Sequence, residues 1–573
     1  MSEKIRLDAL IEGLLAEAST SGGVEGGRAA RKAAALAERR DFKRAVKALE
    51  LAARLDPLDS FARLALSRLS AEAGDLEAAR REAAGVFAKA VDEAARARAA
   101  FMLGEIARSR GDAAEARDAY SAVADIENAL LAKNRTDVVA ARWYARATGR
   151  LAELDAGENP LRARANSEGV LALLRALADQ IGEQPALSAD IADAEFRVAV
   201  LDLDEHNPYA AHKHLAEAIG RYEALCVLEP GEPHWRAVLA ESQALGAETA
   251  FALGSREAAR AAMDKALQLR IKLATVDPNE RWPLAAVWRL RAALLDALGD
   301  PQGAADCLIH AGALAKQLRA EATPNDPAPA RFLVHTLFEQ TDLALRQSLL
   351  QTAHGAASEA RALAEPFAQV AGAQPEWRAD LAAAWSRLGD IALASRAEAS
   401  AREALARASE LRRLNVKAEP ENTHAQRALA GALLRQGEAA LAAKDAKTAR
   451  LVFSEAVQLR LELAEATPGE LAPARDMAIA LERLGLAAAA GGDSGGARAV
   501  WDEEWALIDR IYPEPTDVEG QRMRAVLEAH YASLGGIDAA ERRASALARL
   551  DLLAQDNQIT ERDMRLRKQL WQA

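Results

Sequence analysis

Residues 385–408 read WSRLGDIALASRAEASAREALARA, and this stretch decides the fold. Trp385, Leu388, Gly389 and Ala392 open one helix, an alanine-rich turn follows, and Ala401, Leu405 and Ala408 lie at the spacing of a second helix. The pattern returns at Leu433, Gly437 and Ala440, then Ala449, Phe453 and Ala456. Its recurrence roughly every 45–50 residues predicts stacked helical hairpins rather than one globular core. An array of this kind is mostly surface for partners.

The length of 573 residues would by itself suggest three or four domains, but a repeat array grows by addition. Half the residues are hydrophobic and only 4% aromatic, so alanine and leucine make the core. Alanine has the best helix propensity, and no segment alternates with the period of a strand. The fold class is therefore all-α. A net charge of −12 argues against a nucleic-acid reader, whose affinity needs a basic surface, and suits basic partners. Cys226 and Cys307 read as buried free thiols of a reducing cytoplasm. The first twenty residues carry acids within their apolar stretch, unlike a signal peptide, and no apolar run is long enough to span a membrane.

Leu7, Leu10, Ile11, Leu14, Leu15 and Ala18 form the stripe of an amphipathic helix. The glycines from Gly22 to Gly27 then predict a flexible linker. The helix either folds back on the first repeat or docks on another subunit or partner. Arg40-Asp41, Gly74-Asp75 and Gly111-Asp112 mark tight turns, with glycine suited to a helix C-terminus and aspartate to the next N-cap. Ala45, Ala79 and Ala116 follow as small residues at which a second helix presses on the first.

These segments resemble tetratricopeptide repeats, through Leu103, Gly104, Ala107, Ala116, Tyr120 and Val123, and through Ala45, Leu49, Ala52 and Pro57. From about residue 132 the period lengthens to roughly 48, with both helices extended. First helices are expected near Trp143, Ala189, Trp235, Trp282, Phe332, Trp377, His424 and Ala474. Turns are expected near Gly157, His206, Gly254, Gly299, Gly355, Arg396, Lys444 and Gly492. Proline joints such as Asp277-Pro278, Thr323-Pro324 and Thr467-Pro468 separate the repeats. This resembles a long-period, bacterial form of the family, which often accompanies a signalling or protease domain; no such domain accompanies it here.

The expected organisation is an amphipathic helix and linker over 1–27, three short repeats over 28–131, eight long ones over 132–511, and a final repeat with a closing helix from Thr560 over 512–573. The resemblance implies an α-solenoid superhelix of antiparallel helix pairs. It also implies ligand contacts at set first-helix positions. Carried over residue by residue, these are Arg68, Glu105, Arg108, Glu248, Arg289, Asp296, Ser386, Asp390, Glu438 and Glu482. Acids outnumber bases six to three among them, which suits a basic or mixed protein or peptide partner. Phe101 and Glu105 stand where the family's carboxylate clamp needs a base and an asparagine, which argues against capture of a C-terminal carboxylate.

Gly492-Asp493-Ser494-Gly495-Gly496 matches the nucleophile signature of chymotrypsin-like proteases, but it falls at a required inter-helix turn. His206, His212 and His214 lack helical metal-ligand spacing and read as solvated. Tryptophans 143, 235, 282, 288, 377 and 385 read as packing. With no converging nucleophile, base, metal or cofactor motif, the expected function is a non-enzymatic cytoplasmic scaffold or adaptor. The alternatives are a peptide-responsive regulator and, last, an enzyme.

Overall fold

The computed structural model describes residues 3–38, 41–323, 326–370, 374–467, 469–514 and 516–572. Arg40, Pro324 and Pro468, which belong to expected turns and joints, lie outside them. The chain divides into two compact units, Met1–Leu294 and Leu295–Ala573. Among the described residues all regular structure is helical.

The first unit starts with α1 (Glu3–Ser21), α2 (Gly23–Ala37), α3 (Phe42–Leu55), α4 (Ser60–Glu72) and α5 (Leu76–Lys89). There follow α6 (Glu93–Ser109), α7 (Ala113–Lys133), α8 (Val138–Asp155) and α9 (Pro160–Ile181). It continues with α10 (Pro185–Asp204), α11 (Pro208–Leu228), α12 (Pro233–Ala252) and α13 (Arg256–Val276). The unit boundary falls in α14 (Arg281–Ala297). The second unit holds α15 (Pro301–Glu321), α16 (Ala328–Arg346), α17 (Leu350–Ala368), α18 (Pro375–Ala394) and α19 (Glu398–Ala418). Then come α20 (Thr423–Ala442), α21 (Ala446–Ala466), α22 (Leu471–Ala490) and α23 (Ser494–Ile511). Last are α24 (Val518–Ser533), α25 (Ala539–Gln555) and α26 (Glu561–Gln572).

In each unit, helices pack on their neighbours in the chain, and first helices also touch the next first helix, as α6 does α8 and α18 does α20. Two layers result, one of first helices and one of second. The all-α class and the stacked pairs are as expected.

A size rule explains why the pairs form. Gly104 receives the ring of Tyr120, Gly389 receives Leu405, Gly437 receives Phe453 and Gly485 receives Trp501, all at one spacing across the turn. A Cβ on Gly104 or Gly389 would stand 2.5 Å from the side chain opposite, so only glycine fits. The same register elsewhere places Ala199 with Leu215, and buried Thr341 and Ala357, so the small position admits a larger residue where the side chain opposite leaves room. Close-packed interiors demand this compensation.

Turns follow from backbone chemistry. Gly254, Gly299 and Gly492 have φ of 77°, 83° and 82°, the left-handed geometry of a helix end. His206, Arg396 and Lys444 adopt it without glycine, at φ of 58°, 58° and 61°. The turn expected at Gly355 lies instead at Ser348 (φ 59°), and Gly355 sits inside α17. A side chain in left-handed geometry is strained, so Arg396→Gly is expected to raise stability by about 1 kcal/mol and Gly254→Val to lower it by about 1–2. Thermal unfolding of the two variants checks both signs.

The stretch expected to be a flexible glycine linker is a tight turn followed by helix. Gly22 and Gly23 turn the chain at φ of 60° and 50°, and Gly26 and Gly27 are buried within α2. A Cβ on Gly26 would stand 2.5 Å from the Ala18 carbonyl, so glycine here lets α1 and α2 touch. Ile11 and Ala18 are buried and Leu14 and Leu15 pack beside them, while Arg44 of α3 pairs with Asp8 at 3.3 Å and with Glu12. Thus α1 packs on its own chain. Removing residues 1–22 uncovers that apolar surface. The expected loss is several kcal/mol in the first pairs, at roughly 1.5–3 per large buried side chain before ordering costs. Hydrogen exchange in α2 and α3 should rise, with the mass in solution unchanged by light scattering.

Candidate functional site

Ten residues were expected to face a partner, and most already have partners within the chain. Glu105 accepts from the Tyr120 hydroxyl at 2.7 Å, Arg108 at 2.9 Å and Arg150 at 2.9 Å. Burial pushes its carboxyl up, but Tyr120 and the two arginines outweigh this and hold it below the usual range. Arg68 pairs with Glu38 at 2.6 Å and Glu72 at 2.7 Å. Ser386 donates to the Ala382 carbonyl of its own helix. Asp296 takes Arg346 at 2.5 Å, Asp390 takes Arg435, Glu438 takes Arg483 at 3.3 Å, and Glu482 takes His530 at 3.1 Å. Arg289 lies on α14 and makes contacts of its own.

Several of these pairs link one first helix to the next, α6 to α8, α14 to α16, α18 to α20, α20 to α22 and α22 to α24, and so form a ladder. The rule is clearest where an arginine stands two residues before the small packing position. Arg387 grips Asp342 of α16 through two bonds of 2.9 and 2.7 Å. Arg435 on α20 and Arg483 on α22 repeat this on Asp390 and Glu438. A second line runs near the other helix ends, with Asp380 taking Arg331 at 2.8 Å and His335 at 3.1 Å, and Asp190 taking Arg142. Half-exposed rungs contribute about 0–1 kcal/mol each, so they set register more than stability.

Glu248 is an exception. It occupies the acid position of α12, but Leu290 stands at the arginine position of α14. It reaches solvent, yet burial of its stem pushes the carboxyl up with no base to offset it. Glu127, Glu195 and Glu504 are among the buried acids that went unnoticed in the sequence. Glu195 takes Arg175 and His214, the latter at 2.6 Å, so His214 is not simply solvated as expected. Glu504 is 2% exposed. Burial, with repulsion from Glu482, pushes it up to about 9.

The Gly492–Gly496 pentapeptide is a turn and cap, as its position demands: Asp493 accepts from the Gly496 amide at 2.7 Å and pairs with Arg450 at 2.9 Å. Cys307 is buried; Cys226, expected buried, is only partly so. Trp377 stacks on Phe367 at 4.2 Å, and Trp143 meets Phe101 edge-on at 5.3 Å, both in packing roles. Among the described residues no helix is long and apolar enough to cross a membrane, and no cluster of ligands suits a metal ion.

Besides a cavity of about 540 Å³ against α7, α8 and α9, one lies on the first-helix layer of the first unit. It measures about 530 Å³ and opens between α8, α10 and α12. Phe196, Val200, Leu201 and Val238 form its apolar wall; Arg150, Arg197, Asp204 and Glu241 supply charge. That volume lies within the range of ligand sites, roughly 300–1,000 Å³.

No protein-family model matches the sequence, and no curated protein matches it significantly. Among solved structures, the chain is similar to the apo form of RapI, at 12% identity over 71% of this chain and 98% of that one, with a TM-score of 0.44. It is similar to yeast Tom70 at 15% identity, over 88% and 96%, with a TM-score of 0.34. BtubC (BKLC) from P. vanneervenii matches at 18% identity over 45% and 92%, with a TM-score of 0.35. The assignment to helical pairs rests on the packing described above.

Proposed function

We propose that this chain is a non-enzymatic, cytoplasmic scaffold of the long-period tetratricopeptide type, whose first-helix face receives a segment of a partner protein. The cavity between α8, α10 and α12 carries the reading, because it joins an apolar wall to charges of both signs. A preformed face orders only one partner, which limits the entropic cost of binding. The ladder supports this, since it holds neighbouring first helices in register before anything binds. The basic character proposed for the partner now rests on Glu248, Asp204 and Glu241, rather than on acids already paired.

A second reading, a regulator switched by a small peptide, is favoured by the cavity's size, which suits a few residues rather than a long segment. Affinity purification of the full chain from its host, followed by mass spectrometry and by X-ray scattering of the recovered complex, tests both. A scaffold retains its own dimensions with partner bound; a regulator changes them. Recovery of no protein or peptide above a bare-matrix control rejects both.

A further inference from the structure

The ladder is broken at one arginine, and the cavity opens at the break. Arg197 occupies on α10 the place that Arg387 occupies on α18, two residues before the small packing position, here Ala199. The preceding first helix should offer it a carboxylate, as α16 offers Asp342 to Arg387. On α8 that carboxylate is Glu153, but it is held by Arg150, the ladder arginine of that helix, which pairs with Glu105 and with Glu153, each at 2.9 Å. Among the described residues Arg197 has no ion pair, and its Nε is buried without a hydrogen-bond partner. Its guanidinium lies against α8, where a Cβ on Gly149 would stand 2.8 Å from Cζ. An arginine that lines a cavity and has no ion pair can take a carboxylate from a ligand in a charge-assisted hydrogen bond.

We propose that this cavity recognises a zwitterionic peptide segment. A carboxylate pairs with Arg197, an adjacent apolar side chain packs on Phe196, Val200 and Val238, and a basic group meets Asp204 and Glu241. The proposal rests on the partner-binding reading above and names the chemistry of its central contact. A lone multivalent anion such as phosphate fits worse, because Glu153, Asp193, Asp204 and Glu241 outnumber the two arginines around the cavity. Asp193 already accepts from the Tyr222 hydroxyl at 2.5 Å, which leaves Asp204 and Glu241 to meet a cation.

The test is selection of random heptapeptides on the immobilised full chain, from one pool with free C-termini and one with amidated C-termini, followed by sequencing. Wild-type protein should enrich, about tenfold or more, peptides with an acidic residue beside an apolar one and a basic residue nearby. Enrichment in the amidated pool assigns the carboxylate to a side chain; enrichment in the free pool alone assigns it to the C-terminus. Arg197→Gln should lose the acidic preference, and Arg197→Glu should replace it with a basic one, both with an unchanged thermal melt. Should those variants unfold, Gly149→Ala, whose Cβ displaces the guanidinium, should lose the same preference. A wild type with neither an acidic preference nor a preference for free C-termini, or either preference kept in Arg197→Gln or Gly149→Ala, overturns the site alone, because other peptides are still selected. Selection of no peptide at all removes the partner-binding reading and the site with it.

Discussion

Glu504→Gln is expected to stabilise the protein by about 3 kcal/mol at pH 7 and to leave it almost unchanged at pH 4. The folded carboxyl is pushed up to about 9 by burial and by Glu482, whereas the unfolded one titrates near the ordinary value of 4.5. Between these values the folded state holds a proton that the unfolded state has released. Unfolding therefore becomes easier with rising pH, at about 1.4 kcal/mol per pH unit. From 4.5 to neutrality this amounts to roughly 3 kcal/mol, present at low pH and lost as pH rises. Glutamine keeps the shape and never ionises. Denaturant unfolding of both proteins at pH 4 and pH 7 reads the difference. Equal pH slopes for wild type and variant would show Glu504 to be ionised in the fold.

Gly485→Ala should destabilise the pair α22–α23 by about 3 kcal/mol, the upper end of typical overpacking costs. The new methyl would collide with the indole of Trp501, which is fully buried, stacks on His530 at 5.4 Å and donates to the Glu482 carbonyl at 3.4 Å. Gly431→Ala in α20 is the control, because nothing lies within 4 Å of the added Cβ. There the gain in helix propensity should stabilise by up to about 1 kcal/mol. The same chemical change thus acts with opposite sign at two helical glycines. Adding Trp501→Met to Gly485→Ala should recover part of the loss. Hydrogen exchange in α22 and α23 reports the local opening directly. A Gly485→Ala variant as stable as wild type would dissolve the size rule for the pairs.

The pairs were legible because their rule is local. Gly389 with Leu405 and Gly437 with Phe453 carry small and large residues at a constant spacing, and one helical hairpin suffices to read it. Glycine alone misled. At Gly22–Gly27 it suggested a linker, although the same residue permits two helices to touch. At Gly355 it suggested a turn that the backbone makes at Ser348. The partner-facing residues were the least legible, because their charges are answered by the next repeat. Asp390 looks free until Arg435 is placed 45 residues on. The signal was present in Arg387, Arg435 and Arg483, each two residues before a packing glycine. Arg197 gains its meaning only after that register is known, since an unpaired arginine is visible only against paired ones.

Partner binding on the first-helix layer is tested most directly by site-specific photo-crosslinking in the host. The crosslinker is placed at Val200 or Glu241, which line the cavity, and at Tyr209 or Val227, which are exposed on α11 in the second-helix layer. Val200 and Glu241 should yield one shared adduct that is absent at Tyr209 and Val227. An adduct confined to Tyr209 and Val227 would place the partner on the opposite layer and contradict the proposed function.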